Sequence, residues 1–454
     1  MISQLIYHEQ VKSIMASFGT LPVRFGKGVI RKRARIGAAS GNAFSSVKTT
    51  QTTDDDSELL ETRACQNATD DRLISFAQRW TTNVTSKKKL KHAINSSTMA
   101  ARSFSDYYRA IYGSQRWDGN GADGLCHALM EGPTCHAALI NRLHDDIVPC
   151  KESGMEPIPW VRSMNTNLDA LWIDEGMERL PTPSLCPSTS LLNYYCLDPA
   201  SLLPVIALNL PKYAASHNAP AKILDMCAAP GGKTLAILQS LLGGTALPSN
   251  SADEGDLHHV IIANEASRNR RNRLENVLAD YVPLPIQRSS LAITGYDGTM
   301  FGSASIDPQR GLQYSPESDV TPRSEEEEGY THVLCDVPCS GERHVLRTSS
   351  SLAKWSAGSS RHLQKKQMSL LKAAVSSCRP GGTIVYSTCS INTNENDVVM
   401  EKLLNKRGDQ VEAQLDVLAD VGIGESTEYG KMILPDHSSC KGMGPMYVCA
   451  LRKK

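Results

Sequence analysis

From residue 222 onward, short apolar runs alternate with longer stretches whose apolar positions recur at helical spacing. Residues 222–225 and 259–264 predict strands, each followed by a helix, over 233–242 and 267–278. The alternation continues through apolar runs at 285–288, 332–336 and 383–387, with a further helix around 364–377. Strands separated by helices predict an α/β fold with a mostly parallel, doubly wound sheet, and such sheets bind ligands beyond the carboxyl ends of their strands.

Upstream the pattern changes. Residues 101–200 hold an aromatic-rich amphipathic segment, Phe104-Ser105-Asp106-Tyr107-Tyr108-Arg109-Ala110-Ile111-Tyr112, followed by Gly113 and Trp117. They predict a small, partly helical N-terminal accessory region whose aromatics belong to a core rather than to stacked bases. Residues 54–100 are polar, with the run Lys87-Lys88-Lys89-Leu90-Lys91, and read as a linker with room for a short helix. Residues 1–53 carry eight Lys or Arg against the single acid Glu9. That composition suits an organelle transit peptide, although the first twenty residues hold one Lys and no Arg; a basic tail that touches RNA or serves as a nuclear address is the alternative. Residues 201–454 then form the large α/β domain, interrupted by polar inserts at 243–256, 302–329 and 348–360, all read as surface loops.

Composition narrows the class without naming it. There is no apolar run approaching the 18 or so residues of a membrane span, so no membrane is expected as a partner. The 48 Lys and Arg balance 48 Asp and Glu, which excludes a uniformly basic nucleic-acid coat but not local basic patches. Thirteen Cys at irregular spacings, with no C-x-x-C, argue against a disulfide framework or a zinc ribbon, and no metal is expected. Reduced thiols point to an intracellular compartment.

The chemistry concentrates at the ends of the predicted strands. Leu224-Asp225-Met226-Cys227-Ala228-Ala229-Pro230-Gly231-Gly232-Lys233-Thr234 is a strand end, a turn of small residues and a helix start. Gly232-Lys233-Thr234 looks like the tail of a phosphate loop, but that motif requires Gly where Cys227 stands. Such a turn lets backbone amides approach a carboxylate, as carried by S-adenosylmethionine, or is merely a tight strand-to-helix turn. The next strand ends at Asn264-Glu265, where an acid can accept from ribose hydroxyls, and Arg270 either reaches back to the pocket or lies on an exposed helix face. Tyr296-Asp297-Gly298 follows the third strand, where Asp297 can accept an adenine amino group and Gly298 permits a tight turn. Two strings decide the reaction: Cys335-Asp336-Val337-Pro338-Cys339-Ser340-Gly341 and Tyr386-Ser387-Thr388-Cys389-Ser390-Ile391-Asn392. If their strands are neighbours, Cys339 and Cys389 share one crevice with Asp336.

These motifs, from about residue 194 to the end of the chain, resemble the Nop/Sun-type RNA 5-methylcytosine methyltransferases. The stretch Tyr195-Cys196-Leu197-Asp198-Pro199-Ala200-Ser201-Leu202-Leu203-Pro204 and the pair Arg343-His344 resemble the mitochondrial ribosomal-RNA branch most; a mitochondrial transfer-RNA branch is the competitor. The sequence departs from the family in Glu265 where Asp is usual, in its long inserts, and in having no recognisable added RNA-binding domain. The resemblance implies a Rossmann-like methyltransferase fold and S-adenosylmethionine as cofactor, held by Cys227, Ala228, Ala229, Pro230, Gly231, Gly232, Lys233, Glu265, Arg270, Asp297, Gly298 and Asp336. It makes Cys389 the nucleophile, Cys339 the residue that helps release product, and Asp336 the group that binds the cytosine ring. The implied partner is RNA, mitochondrial ribosomal RNA or an assembling ribosomal subunit, in the mitochondrial matrix, with room for a targeting protein. Arg343, Arg347, Lys365 and Lys366 are candidates for lining the path of an unstacked, single-stranded substrate. A ribosome assembly factor that binds RNA through this fold, with methylation secondary, is the alternative from another class.

Overall fold

The structure, a computed structural model, describes residues 54–120, 123–143, 155–173, 182–216, 220–242, 259–302 and 329–454. The basic segment 1–53 and most of the inserts 243–256 and 302–329 lie outside the described residues. The chain divides into two units, residues 1–64 and 65–454, and only the opening of one helix is described in the first.

Residues expected as a polar linker are helical. One helix runs Asp54–Gln78 and a second Lys87–Tyr112. No Gly or Pro interrupts the second, and Ser97, Ala101, Phe104, Ser105 and Tyr108 form its buried stripe at helical spacing. Gly113 ends it at φ +79, its N–H bonded to the carbonyl of Arg109. Phe104, Tyr108 and Trp117 are fully buried, as the pattern predicts.

A small antiparallel sheet follows, built from β1 (His136–Ile140), β2 (Glu156–Pro157), β3 (Ala170–Ile173) and β4 (Tyr194–Leu197) in the order β2-β3-β1-β4. The large sheet begins with β5 (Lys222–Asp225), β6 (Val260–Asn264), β7 (Leu291–Thr294), β8 (Tyr330–Asp336) and β9 (Cys378–Thr388). These five are parallel, in the order β7-β6-β5-β8-β9. Beyond β9 the sheet turns antiparallel through β10 (Val411–Ala413), β11 (Glu425–Ser426), β12 (Lys431–Ile433) and β13 (Met446–Lys453), with β13 against β9. Chain order reverses between β5 and β8, which places the ligand crevice of an open α/β sheet beyond Asp225 and Asp336.

Alternate strand residues feed two cores. Ile223, Ile261, Leu334 and Val385 face one layer, with the helices Gly232–Leu242 and Arg268–Tyr281 and the small sheet. Leu224, Ile262, Val333 and Ile384 face the other, which holds the helix Ala357–Ser377 and the aromatics of Lys87–Tyr112. Cys335 is buried in that second core as a small hydrophobe.

Two local expectations are corrected. The run 285–288 is not a strand: Leu284–Ser290 is helical, and the strand comes after it as β7. Pro285 supplies a preset φ at the start of that helix, where its missing N–H costs nothing. The Ser-rich segment 348–360 is not an open loop. It contains the short helix Ser349–Leu352 and opens the helix Ala357–Ser377, and both Leu352 and Ser360 are buried.

Candidate active site

The turn between β5 and the helix Gly232–Leu242 forms one wall of the site. Gly231 adopts φ +121, and a Cβ on Gly232 would fall 2.5 Å from Cε1 of Tyr195, so the chain turns sharply against that ring. Thr234 donates its hydroxyl to Oδ2 of Asp225 at 2.7 Å. Burial raises the Asp225 carboxyl to about 7, and its Oδ1 is buried with no hydrogen-bond partner. Lys233 spans the crevice, its Nζ 2.8 Å from Oδ2 of Asp336 at the end of β8. An open pocket of about 100 Å³ lies here, lined by Asp225, Cys227, Ala228, Ala229, Lys233 and Asp336 among others.

Glu265, after β6, is buried and accepts the N–H of Ser267 at 2.9 Å. Arg270 points back toward the turn: Nη1 lies 3.2 Å from Oε2 of Glu265 and Nη2 donates to the carbonyl of Ala229 at 2.9 Å. It braces the turn through its backbone. Asp297 is exposed after β7 and accepts from the N–H and hydroxyl of Thr299 at 3.0 and 2.9 Å, bonds that hold its carboxyl below the usual range. Gly298 lies against Leu370, where a Cβ would stand 2.7 Å from Cδ2. Thus Cys227, Ala228, Ala229, Pro230, Gly232, Lys233 and Asp336 share one hollow, while Gly231 packs against Val277 and Leu274, and Glu265 and Arg270 brace the turn. Asp297 and Gly298 stand at the end of β7 and are not part of that lining.

These residues suit a cofactor of the S-adenosylmethionine type. The turn of small side chains admits close approach, and the unpartnered Oδ1 of Asp225 can accept from an ammonium or hydroxyl group.

The thiols stand beyond the ends of the next two strands, beside that lining rather than in it. β8 and β9 are parallel neighbours, with Asp336 opposite Ser387. Ser387 donates its hydroxyl to Oδ1 of Asp336 at 2.7 Å. Cys339 follows β8 by three residues, Cys389 follows β9 directly, and their sulfurs lie 2.8 Å apart. Cys389 is exposed and Cys339 partly so. The hydrogen bond to Cys389, and then burial, push the Cys339 thiol well up, so Cys339 keeps its proton. The described cysteines are free thiols, and among the described residues no group of three His, Cys, Asp or Glu could hold a metal ion.

Arg343 and Arg347, candidates for lining the path of RNA, are engaged within the fold. Arg343 donates to the carbonyls of Pro133, Gly442 and Gly444, the first two at 2.6 and 2.8 Å. Arg347 donates to the carbonyls of Leu129 and Gly132 at 3.0 and 2.6 Å and to the hydroxyl of Thr134. Backbone carbonyls facing inward need donors, and a guanidinium satisfies several at once. Lys365 and Lys366 are exposed on the helix Ala357–Ser377. Two buried acids beside the thiols, Glu342 and Glu395, escape a sequence reading. Their only signal is position, three residues after Cys339 and six after Cys389.

Residues 213–452 match the family described as 16S rRNA methyltransferase RsmB/F. The chain is 32% identical over 324 residues to the 5-cytosine rRNA methyltransferase NSUN4 of Mus musculus, covering 68% of this chain and 72% of that protein. It is 32% identical over 304 residues to the ribosomal RNA small subunit methyltransferase F of Escherichia coli, covering 66% and 52%. Among solved structures, NSun6 from Pyrococcus horikoshii with SFG gives a TM-score of 0.52 at 15% identity, covering 78% of this chain and 98% of that one. A methyltransferase homolog protein from the same organism gives 0.51 at 20% identity, covering 77% and 94%. At such identities the two structures speak for the fold, which is the doubly wound sheet described above.

Proposed function

Because the chain belongs to the RsmB/F family of rRNA methyltransferases, we propose that Cys389 attacks C6 of a cytosine in RNA while Cys339 assists release of the C5-methylated product. The protein is an S-adenosylmethionine-dependent RNA cytosine-C5 methyltransferase. The observation that carries the mechanism is the pair of sulfurs 2.8 Å apart beside a pocket lined by Asp336, Lys233 and the small-residue turn.

Cytosine C5 is a poor nucleophile. Attack on C6 by the exposed Cys389, as thiolate, converts C5 into the nucleophilic end of an enamine. Asp336, kept in place by Ser387 and Lys233, accepts from the amino group and from N3 once N3 has taken a proton from solvent, and so favours the protonated ring that receives the electron pair on attack. When bound, S-adenosylmethionine supplies an electrophilic methyl group to that carbon. Cys339, the more basic thiol by virtue of its environment, gives its own proton to solvent and then takes the C5 proton; the C5–H pair re-forms the C5–C6 double bond and Cys389 departs as thiolate. The target base must leave any stack to reach both sulfurs, so single-stranded or locally melted RNA is the substrate form.

The substrate is ribosomal RNA, and mitochondrial ribosomal RNA in the matrix suits both the basic composition of residues 1–53 and the likeness to the rRNA methyltransferase NSUN4. Among the described residues no helix is long and apolar enough to cross a membrane. The test is transfer of labelled methyl groups to cytosine-containing rRNA by the full chain. Wild type transfers label and Cys389→Ala does not; no transfer by wild type, or undiminished transfer by Cys389→Ala, would sink the mechanism. Bisulfite mapping of organellar RNA with and without the protein identifies the nucleotide.

A further inference from the structure

The residues that directly follow the two thiols are bound to each other. The hydroxyls of Ser340 and Ser390 are 2.9 Å apart, and both reach Oε1 of Glu342, Ser390 at 3.3 Å and Ser340 more closely. Oε2 of the same carboxylate accepts the N–H of Ile391 at 3.0 Å. One buried side chain therefore holds the loop behind Cys339 and the loop behind Cys389 together.

The accessory region completes the arrangement. Tyr108, on the helix Lys87–Tyr112, donates its hydroxyl to Oε1 of Glu342 at 2.6 Å. Tyr112, one turn on, donates to the carbonyl of Ile391 at 2.6 Å. Tyr107 donates to Oδ1 of Asn392 at 3.2 Å and accepts from Nδ2 of Asn394 at 2.9 Å. From the opposite side Glu395 accepts the N–H of Ser340 at 3.0 Å, the amide of Gln367 at 2.8 Å and the hydroxyl of Ser360 at 2.7 Å.

We infer that Glu342, held by Tyr108, is a positioning residue for Cys339 and Cys389, and that the accessory helix is thereby a working part of the methylation site. A fully buried carboxylate is costly to bury, and an apolar side chain would fill the space at less expense. What only a carboxylate offers here is acceptors on both branches, each facing donors; the amide of a Gln would turn an NH₂ toward one of them. Burial, and then the nearby Glu395, push the Glu342 carboxyl up, consistent with two acids crowded under the thiol loops. The role rests on the methyltransferase reading given above, but the sulfur-to-sulfur placement it explains is measurable without any substrate.

Two variants of the full chain test it, Glu342→Gln and Tyr108→Phe, the second keeping the ring that packs 5.5 Å from Trp117. Misplacing a reacting group by about 1 Å costs on the order of 100-fold, so Glu342→Gln should lower kcat by roughly that factor with KM for RNA within about twofold. Tyr108→Phe should lower kcat about tenfold, and the double variant should be no worse than Glu342→Gln, because both act through one contact. In the substrate-free chain, brief treatment with diamide oxidises neighbouring thiols to a disulfide while the diamide is reduced to a hydrazine. The yield of the Cys339–Cys389 peptide, read by mass spectrometry, should fall in both variants while cofactor affinity is retained.

Wild-type kcat and cross-linking in Glu342→Gln would overturn the inference, as would losses that merely track lost cofactor binding or that add in the double variant. If Glu342→Gln does not fold, Tyr108→Phe carries the same comparison. A wild-type chain that methylates no RNA yet shows the cross-linking difference would remove the methyltransferase reading and leave the positioning role standing.

Discussion

Lys233 and Asp336 meet across the reversal point of the sheet, Nζ to Oδ2 at 2.8 Å, tying the helix after β5 to the end of β8. Burial pulls the Lys233 ammonium down, but Asp336, aided by Asp225 and Cys389, more than reverses this, so the net shift is upward and the side chain stays charged at neutral pH. Asp336 is thus held by a cation on one oxygen and a hydroxyl on the other, which fixes the plane of its carboxylate. Lys233→Met should leave Asp336 free to turn and should weaken cofactor binding on the order of tenfold, the value of one charge-assisted contact. Calorimetric titration of the cofactor checks it; unchanged affinity would mean the pair serves packing alone.

Asp225 predicts a pH dependence of stability. Its folded value of about 7, raised by burial against a hydrogen bond from Thr234, lies above the ordinary 3.8. The folded chain therefore holds a proton that the unfolded chain gives up between these values. Stability from this group is present at low pH and is lost as pH rises toward about 7, with a slope of at most ~1.4 kcal/mol per pH unit. Asp225→Asn should flatten that part of the profile, which urea denaturation of the cofactor-free protein between pH 5 and about 8 would reveal. An identical slope in the variant would show that Asp225 is ionised in the fold.

Much of this site was legible because its chemistry is local. The strands carrying Ile223-Leu224 and Val333-Leu334 are short apolar runs buried on both faces, and the thiol motifs stand at their ends or those of their neighbours. The helix Asp54–Gln78 was not, since Leu73 and Ala77 are the buried apolar positions among its described side chains and no continuous stripe marks its sequence. Leu284–Ser290 misled because two prolines beside apolar residues resemble a strand edge as readily as a helix start. Glu342 was hidden for another reason. A Glu beside a motif reads as surface charge, and its burial depends on Tyr108, 234 residues away.

The two kinds of basic residue near the site should separate cleanly on mutation. Arg343→Ala strips donors from the carbonyls of Pro133, Gly442 and Gly444, and should cost about 2–3 kcal/mol of stability while leaving the RNA affinity of the folded fraction and its salt dependence intact. The exposed Lys365 and Lys366 carry no such burden. If either contacts a phosphate, its replacement by Ala should leave the melting temperature in place and lower the slope of log K against log salt by about one. Thermal melts and filter binding across a salt series distinguish the two; an Arg343→Ala protein of normal stability with a reduced salt slope would reverse the assignment.

The thiols make the sharpest prediction. Cys339 keeps its proton through its bond to Cys389 and its burial, so it is the poorer nucleophile and, once deprotonated, the stronger base. Cys339→Ala should therefore leave attack at C6 possible and remove the group that takes the C5 proton. RNA should accumulate in a covalent complex with the protein, seen as a band of reduced mobility that survives denaturation and carries the labelled methyl group. If Cys389 makes the bond to C6, adding Cys389→Ala should abolish that band. A band that persists in the double variant would assign the nucleophile elsewhere, and rapid release from Cys339→Ala alone would pass the base role to a water or to Asp336, the carboxylate that faces the same hollow.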